Sequence, residues 1–146
     1  MKELQEKINY KFKDISLLHL ALMHSSYANE DKRRKLESNE RLEFLGDSVL
    51  SLVVSEHIYI NHKKLPEGEL TKMRASLVCE KTLCELALQT GINKCILLGK
   101  GEELSNGRSR PSILADAFEA MVAAIYIDGG IEAVKSVILP FMKNSI

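Results

Sequence analysis

The sequence predicts an all-α domain, and three observations carry that prediction. Apolar residues recur at helical spacing almost throughout, no long segment alternates as a half-buried strand, and 146 residues with 45% hydrophobic and 27% charged side chains suit one core. A single domain over 1–146 is therefore expected.

Asp14 is placed to cap a first helix whose apolar side includes Leu17, Leu18, Ala21 and Leu22. The polar stretch from Ser25 to Leu36 reads as a surface loop. Asn39, or Ser38 before it, starts the longest helix, to about Tyr59, with Leu42, Leu45, Val49, Leu52, Val53 and Ile58 available for burial. Its many apolar turns mark it as the central helix of a bundle. Pro66 suits the first turn of the next segment, since that position has no use for a backbone donor. From Pro66 to Gln89 two helices are expected, broken near Val78 and Cys79, with Gly91 as the stop. Ile96, Leu97 and Leu98 read as a short extended piece or a buried turn, and Gly99, Gly101 and Gly107 mark loop around them. Pro111 opens a strongly apolar helix to about Ile127, ended by Asp128, Gly129 and Gly130, and a last helix covers Ile131 to Met142.

Composition excludes some functions. No stretch approaches the roughly 18 apolar residues of a membrane span, and the polar start lacks a secretory core, so a cytoplasmic protein with no membrane partner is expected. Cys79, Cys84 and Cys95 form no C-x-x-C pair and read as reduced structural thiols. Twenty Lys and Arg against twenty Asp and Glu argue against holding nucleic acid by bulk charge. The basic residues are clustered, however, at Lys32 to Lys35, at Lys63 and Lys64, and at Arg108 and Arg110. Each cluster is either a solvated loop or a phosphate contact.

The acids are more informative. Glu40, Glu43 and Asp47 fall at i, i+3 and i+7, on one helical face, and Asp116 and Glu119 repeat the i, i+3 spacing as the only interruptions of the apolar run from Ile113 to Ile127. Carboxylates at positions that ought to be core repel one another and resist burial. They either lie on a wet face paired to bases such as Arg41, Lys72 and Arg74, or they hold a divalent cation, for which hard oxygen ligands are suited. Zinc is disfavoured, because His19, His24, His57 and His62 form no ligand set. Gly46, between Glu43 and Asp47, costs a helix about 1 kcal/mol relative to alanine. Either a neighbouring backbone needs the room or a long helix tolerates the penalty. Glu67 and Glu69 read as first-turn acids favoured by the helix dipole.

The run Asn39-Glu40-Arg41-Leu42-Glu43-Phe44-Leu45-Gly46-Asp47-Ser48-Val49-Leu50 resembles the signature of the ribonuclease III family. Four further segments follow in the family's order: His24 to Tyr27, Pro66 to Val78, Gly99 to Glu102, and Ser112 to Ala120. The resemblance covers essentially the whole chain. It implies an all-α, ribonuclease III endonuclease-like helical domain that forms a homodimer and cuts both strands of double-stranded RNA. Glu43, Asp47, Asp116 and Glu119 match the family's metal-site acids, with Asp47 and Glu119 the catalytic pair. Asn39, Glu40 and Glu67 match residues of the substrate-binding or auxiliary cleft, and Phe44 matches an aromatic plug at the dimer interface. The implied cofactor is Mg²⁺, with Mn²⁺ a plausible substitute and no organic cofactor. The implied products carry 5′-phosphate and 3′-hydroxyl ends and two-nucleotide 3′ overhangs. Typical members continue into a double-stranded-RNA-binding domain that this chain is expected to lack. Two other readings remain open: a noncatalytic dimeric scaffold on duplex RNA, and a helical metal-dependent hydrolase of small phosphate esters.

Overall fold

The computed structural model describes residues 1–143 and is helical throughout, with nine α-helices among the described residues. They are α1 (Lys2–Ile8), α2 (Ile15–Ala21), α3 (Ser25–Ala28), α4 (Glu40–Asn61), α5 (Glu67–Val78), α6 (Glu80–Thr90), α7 (Lys100–Leu104), α8 (Pro111–Gly129) and α9 (Ile131–Met142).

Most punctuation follows the residues that predict it. The Asp14 carboxylate accepts from the Ser16 N–H at 3.1 Å and caps α2. Pro66 precedes α5, and α5 and α6 break at Cys79. Gly91 ends α6 at φ 80°, a left-handed conformation that glycine adopts without strain. Pro111 occupies the first turn of α8, and Gly130, at φ 86°, separates α8 from α9.

Four expectations change. Helix α1 was not foreseen: seven residues with Leu4 and Ile8 as its only buried positions leave little periodic signal. The stretch from Ser25 to Leu36 is not all loop, because His24 caps α3 and Lys32–Arg34 form a 3-10 turn capped by Asp31. The glycines from Gly99 to Gly107 likewise surround α7 and a further 3-10 turn over Gly107–Ser109. Finally, the central helix is α8, not α4. From Ile113 to Ile125 every α8 residue is buried except Asp116 and Glu119, which are half-buried. Helix α4 buries one face, through Leu42, Val49, Leu50, Val53, Val54 and Ile58, and leaves Leu52 59% exposed.

Helices α2, α4, α6 and α9 pack around α8. Leu97 forms an isolated parallel bridge with Met23, donating its N–H to the Leu22 carbonyl at 2.8 Å, so the Ile96–Leu98 segment is the extended alternative. The start of the domain is clasped to the end of α8. The Asp128 carboxylate accepts from the Tyr10 hydroxyl at 2.6 Å and from the N–H groups of Lys13 and Asp14, both at 2.9 Å. These bonds hold Asp128 below the usual carboxylate range against the opposing effect of burial, and burial followed by Asp128 pushes the Tyr10 phenol up to about 12. No helix of the described residues is long and apolar enough to cross a membrane.

Candidate metal centre

The site forms where α4 crosses α8. A β-carbon at Gly46 would overlap the Glu119 carbonyl oxygen and lie 2.6 Å from its carbonyl carbon. Gly46 therefore serves close backbone approach, the first of the two readings its sequence position allowed. The crossing presses Glu43, one turn before Gly46, against Asp116 and Glu119. One carboxylate oxygen from each of the three lies within 4.8 Å of the other two, and all three side chains are half-buried.

The electrostatics are those of a cluster short of positive charge. Burial, then the hydrogen bond and charge of Asp47, then Glu43 and Asp116 push the Glu119 carboxyl up to about 8. Burial, then Asp116, then Glu40 and Asp47 push Glu43 up to about 7. Asp116 is raised chiefly by burial, while its hydrogen bond with Glu43 and the nearby His24 act in the opposite direction.

Of the bases that could have neutralised the cluster, Arg41 is exposed without an ion pair among the described residues, and the other two are engaged elsewhere. Lys72 pairs with Glu69 at 3.6 Å, Arg74 donates to the Ser55 hydroxyl at 3.2 Å, and no ion pair among the described residues reaches Glu43, Asp116 or Glu119. Three half-buried carboxylates converging without a cation are a donor set suited to a hard divalent ion, which would displace their protons. Zinc-type ligands do not contribute.

The other anticipated site residues are dispersed. Asp47 is exposed beside Glu119 and outside the three-oxygen group. Glu40 is exposed at the start of α4, where its carboxylate accepts from the Ser38 hydroxyl at 3.1 Å. Asn39 is buried, its side-chain amide donating to the Ala21 carbonyl at 3.0 Å and its backbone N–H to the Met23 carbonyl at 2.8 Å. In this structure its polar groups serve the fold. Glu67 lies apart from the cluster, on a groove of about 390 Å³ between α4 and α5 lined also by Leu52, Tyr59, Leu70 and Arg74. Phe44 projects from α4 with 80% of its surface exposed, beside a second groove of about 560 Å³ that includes Leu17, Leu20, Leu45 and Ile127. Neither groove is lined by the three clustered carboxylates.

Two further groups act on Asp116. Glu80, in the first turn of α6, raises its carboxyl, and His24 lowers it. The His24 Nδ1 accepts from the Ser26 N–H at 3.1 Å, and the Ser26 hydroxyl in turn accepts from the Gly99 N–H at 2.9 Å. Glu80 carried no signal in the sequence, because an acid in a first helical turn is ordinary. His24 appeared in the sequence as part of a motif and among histidines that form no zinc ligand set.

Of the basic clusters, Arg108 and Arg110 are structural. Arg108 pairs with Glu103 at 3.1 Å and donates to the carbonyls of Asn93 and Ile96, and Arg110 pairs with Glu102 at 3.0 Å.

A family model described as Ribonuclease-III-like matches residues 14–146. The chain is 58% identical to Ribonuclease 3 of Caldanaerobacter subterraneus over 98% of its own length and 62% of that protein's. It is 53% identical to Ribonuclease 3 of Clostridium tetani over 100% and 61%. It thus spans about three fifths of these curated relatives. Among solved structures, the nuclease domain of ribonuclease III from Campylobacter jejuni superposes with a TM-score of 0.91 at 40% identity, covering 98% of this chain and 96% of that one. A more distant likeness is Dicer from Pichia stipitis, with a TM-score of 0.66 at 28% identity, covering 91% and 56%. The likeness thus extends along nearly the whole sequence and fold, and the chain belongs to the ribonuclease-III-like family.

Proposed function

We propose that this domain hydrolyses phosphodiester bonds in double-stranded RNA, using divalent metal and acting in the cytoplasm as a homodimer. The observation that carries the reading is the convergence of Glu43, Asp116 and Glu119 within 4.8 Å at the α4–α8 crossing. Membership of the family supplies the substrate class.

Glu43, Asp116 and Glu119 would hold the ion, with Asp47 beside Glu119 as the fourth metal-site acid, Mg²⁺ by preference and Mn²⁺ as a substitute. When bound, it supplies Lewis-acid polarisation of a phosphate and a lowered pKa for water. Asp47 and Glu119 are the catalytic pair in this reading. Asp47 is the exposed member, hydrogen-bonded to Glu119 at the solvent side of the cluster, and Glu119 is its half-buried partner on α8. Glu40 extends the acidic edge, Asn39 anchors the start of α4, and Glu67 contributes at the α4–α5 groove. Phe44 is the anchor for a second copy, because an aromatic ring this exposed gains most by entering a partner's pocket.

Two active sites related by a two-fold axis suit the antiparallel strands of a duplex. Offset cuts account for 5′-phosphate and 3′-hydroxyl ends with two-nucleotide 3′ overhangs. Recognition of A-form shape and 2′-hydroxyls suits a chain without tryptophan and with few aromatic stacking platforms.

The test is cleavage of a plain RNA duplex at low salt, with Mg²⁺, with chelator, and with the Glu119→Gln chain. Staggered double-strand cuts that require both Mg²⁺ and Glu119 are expected. Duplex binding without cleavage would replace the nuclease with a scaffold, and no binding at all would redirect the site to small phosphate esters.

A further inference from the structure

A domain that works on a polyanion has to meet it with positive charge, yet this one has a net charge of zero and presents carboxylates at its centre. Several of its bases are committed to acids within the fold. Arg108 and Arg110 hold the segment around α7, Lys72 pairs with Glu69, and Lys135 pairs with Glu56 and Glu132. The densest basic run, Lys32-Arg33-Arg34-Lys35, is different. All four residues are exposed, and the one ion pair they form among the described residues joins Arg33 to Asp31 at 3.3 Å, with the Arg33 side chain still 93% exposed.

The run is also staked in place at both ends. On one side, the Glu30 carboxylate accepts from the Lys100 N–H at 2.6 Å, just after α3, whose cap His24 lies near Asp116. On the other side, buried Asn39 is tied to the carbonyls of Ala21 and Met23, immediately before Glu40, which acts on Glu43. Asp31 caps the 3-10 turn, and Lys35, at φ 50°, reverses the chain toward α4. Lys35 is five residues from Glu40, so its backbone is at most ~18 Å away along the chain. The loop therefore joins α3 to the end of α4 that carries Glu40 and Glu43, whereas Lys63 and Lys64 follow the far end of α4, about 33 Å along the helix.

We propose that the loop over Lys32–Lys35 is a phosphate-gripping arm that holds the RNA duplex backbone against the carboxylate cluster, with Lys32 and Arg34 as its principal contacts. This rests on the duplex-RNA reading above. The arm supplies sequence-independent affinity, and it offsets the repulsion between phosphates and the acids of α4 and α8.

The experiment compares the unaltered chain with Lys32→Ala/Arg34→Ala and with Lys2→Ala/Lys7→Ala, which removes two charges from α1. Binding of a labelled RNA duplex is followed by anisotropy over a KCl series without divalent metal, and Mg²⁺-induced thermal stabilisation is recorded for each chain. The arm predicts that Lys32→Ala/Arg34→Ala lowers low-salt affinity about tenfold and flattens the salt slope by about two. The α1 pair should change little, and the Mg²⁺ stabilisation should persist in all three chains. Equal losses in the two variants would reduce the effect to bulk charge and overturn the arm. Unchanged binding in Lys32→Ala/Arg34→Ala, with the unaltered chain still binding, would overturn the arm alone. An unaltered chain that fails to bind duplex would overturn the RNA reading and the arm with it.

Discussion

Helices α4 and α8 both contribute acids to one site, but they meet water differently. Along α8 the two acids are the only breaks in a buried run from Ile113 to Ile125, so its carboxylates are desolvated by the core around them. Helix α4 buries one stripe and turns Phe44, Leu52, Tyr59 and Ile60 outward. One helix desolvates the charge, and the other presents it at a surface that solvent reaches.

That division can be broken from either side. Glu119→Gln removes the α8 acid while keeping its shape and should lower duplex cleavage at least about a thousandfold, roughly 4 kcal/mol in the barrier. Cleavage within tenfold of the unaltered chain would reject Glu119 as catalytic. Gly46→Ala attacks the crossing itself. Its new methyl meets the Glu119 backbone, and a loss of about 3 kcal/mol in urea unfolding is expected, with weaker Mg²⁺ stabilisation. An unchanged midpoint would mean that the helices separate easily. Phe44→Ala tests the outer face of α4. It should weaken self-association by about 2 kcal/mol in sedimentation over a concentration series while leaving the monomer's unfolding almost unaltered.

The same acids make a prediction in pH. Glu43 and Glu119 are held near 7 and 8, above an unfolded value of about 4.5, so the folded chain binds protons more tightly than the unfolded one. Their contribution to stability is fully present below pH 4.5 and is lost as pH rises through 7 and 8. Metal-free protein should melt at progressively lower temperature from pH 5 to pH 8.5, and Mg²⁺ should remove most of that decline. A Glu43→Gln/Glu119→Gln chain should show much less of it, and an identical decline in that chain would assign the pH dependence to other groups.

The sequence made the acids legible because α8 is otherwise so apolar: an Asp and a Glu three apart inside such a run have few bland explanations. It also made Gly46 legible, since glycine between two acids of a long helix asks for a reason. It misplaced the centre of the fold, because the outward apolar residues of α4, such as Leu52, look in sequence like core. Helix α1 and α7 escaped notice because one or two turns generate too few repeats to establish a period. Asn39 was matched to a family role by position alone, and its burial depends on the carbonyls of Ala21 and Met23, which no local pattern brings together.

The clasp at Asp128 has a consequence for the order of events at the ribosome. Tyr10, Lys13 and Asp14 are made early, but their common acceptor follows 118 residues after Tyr10. At synthesis rates of about 5–20 residues per second, the amino-terminal segment waits on the order of 6–24 s for its partner to be made. Helices α2 and α4 can begin to associate within the growing chain, whereas the docking that closes the domain belongs to its last stage of production, when the end of α8 becomes available.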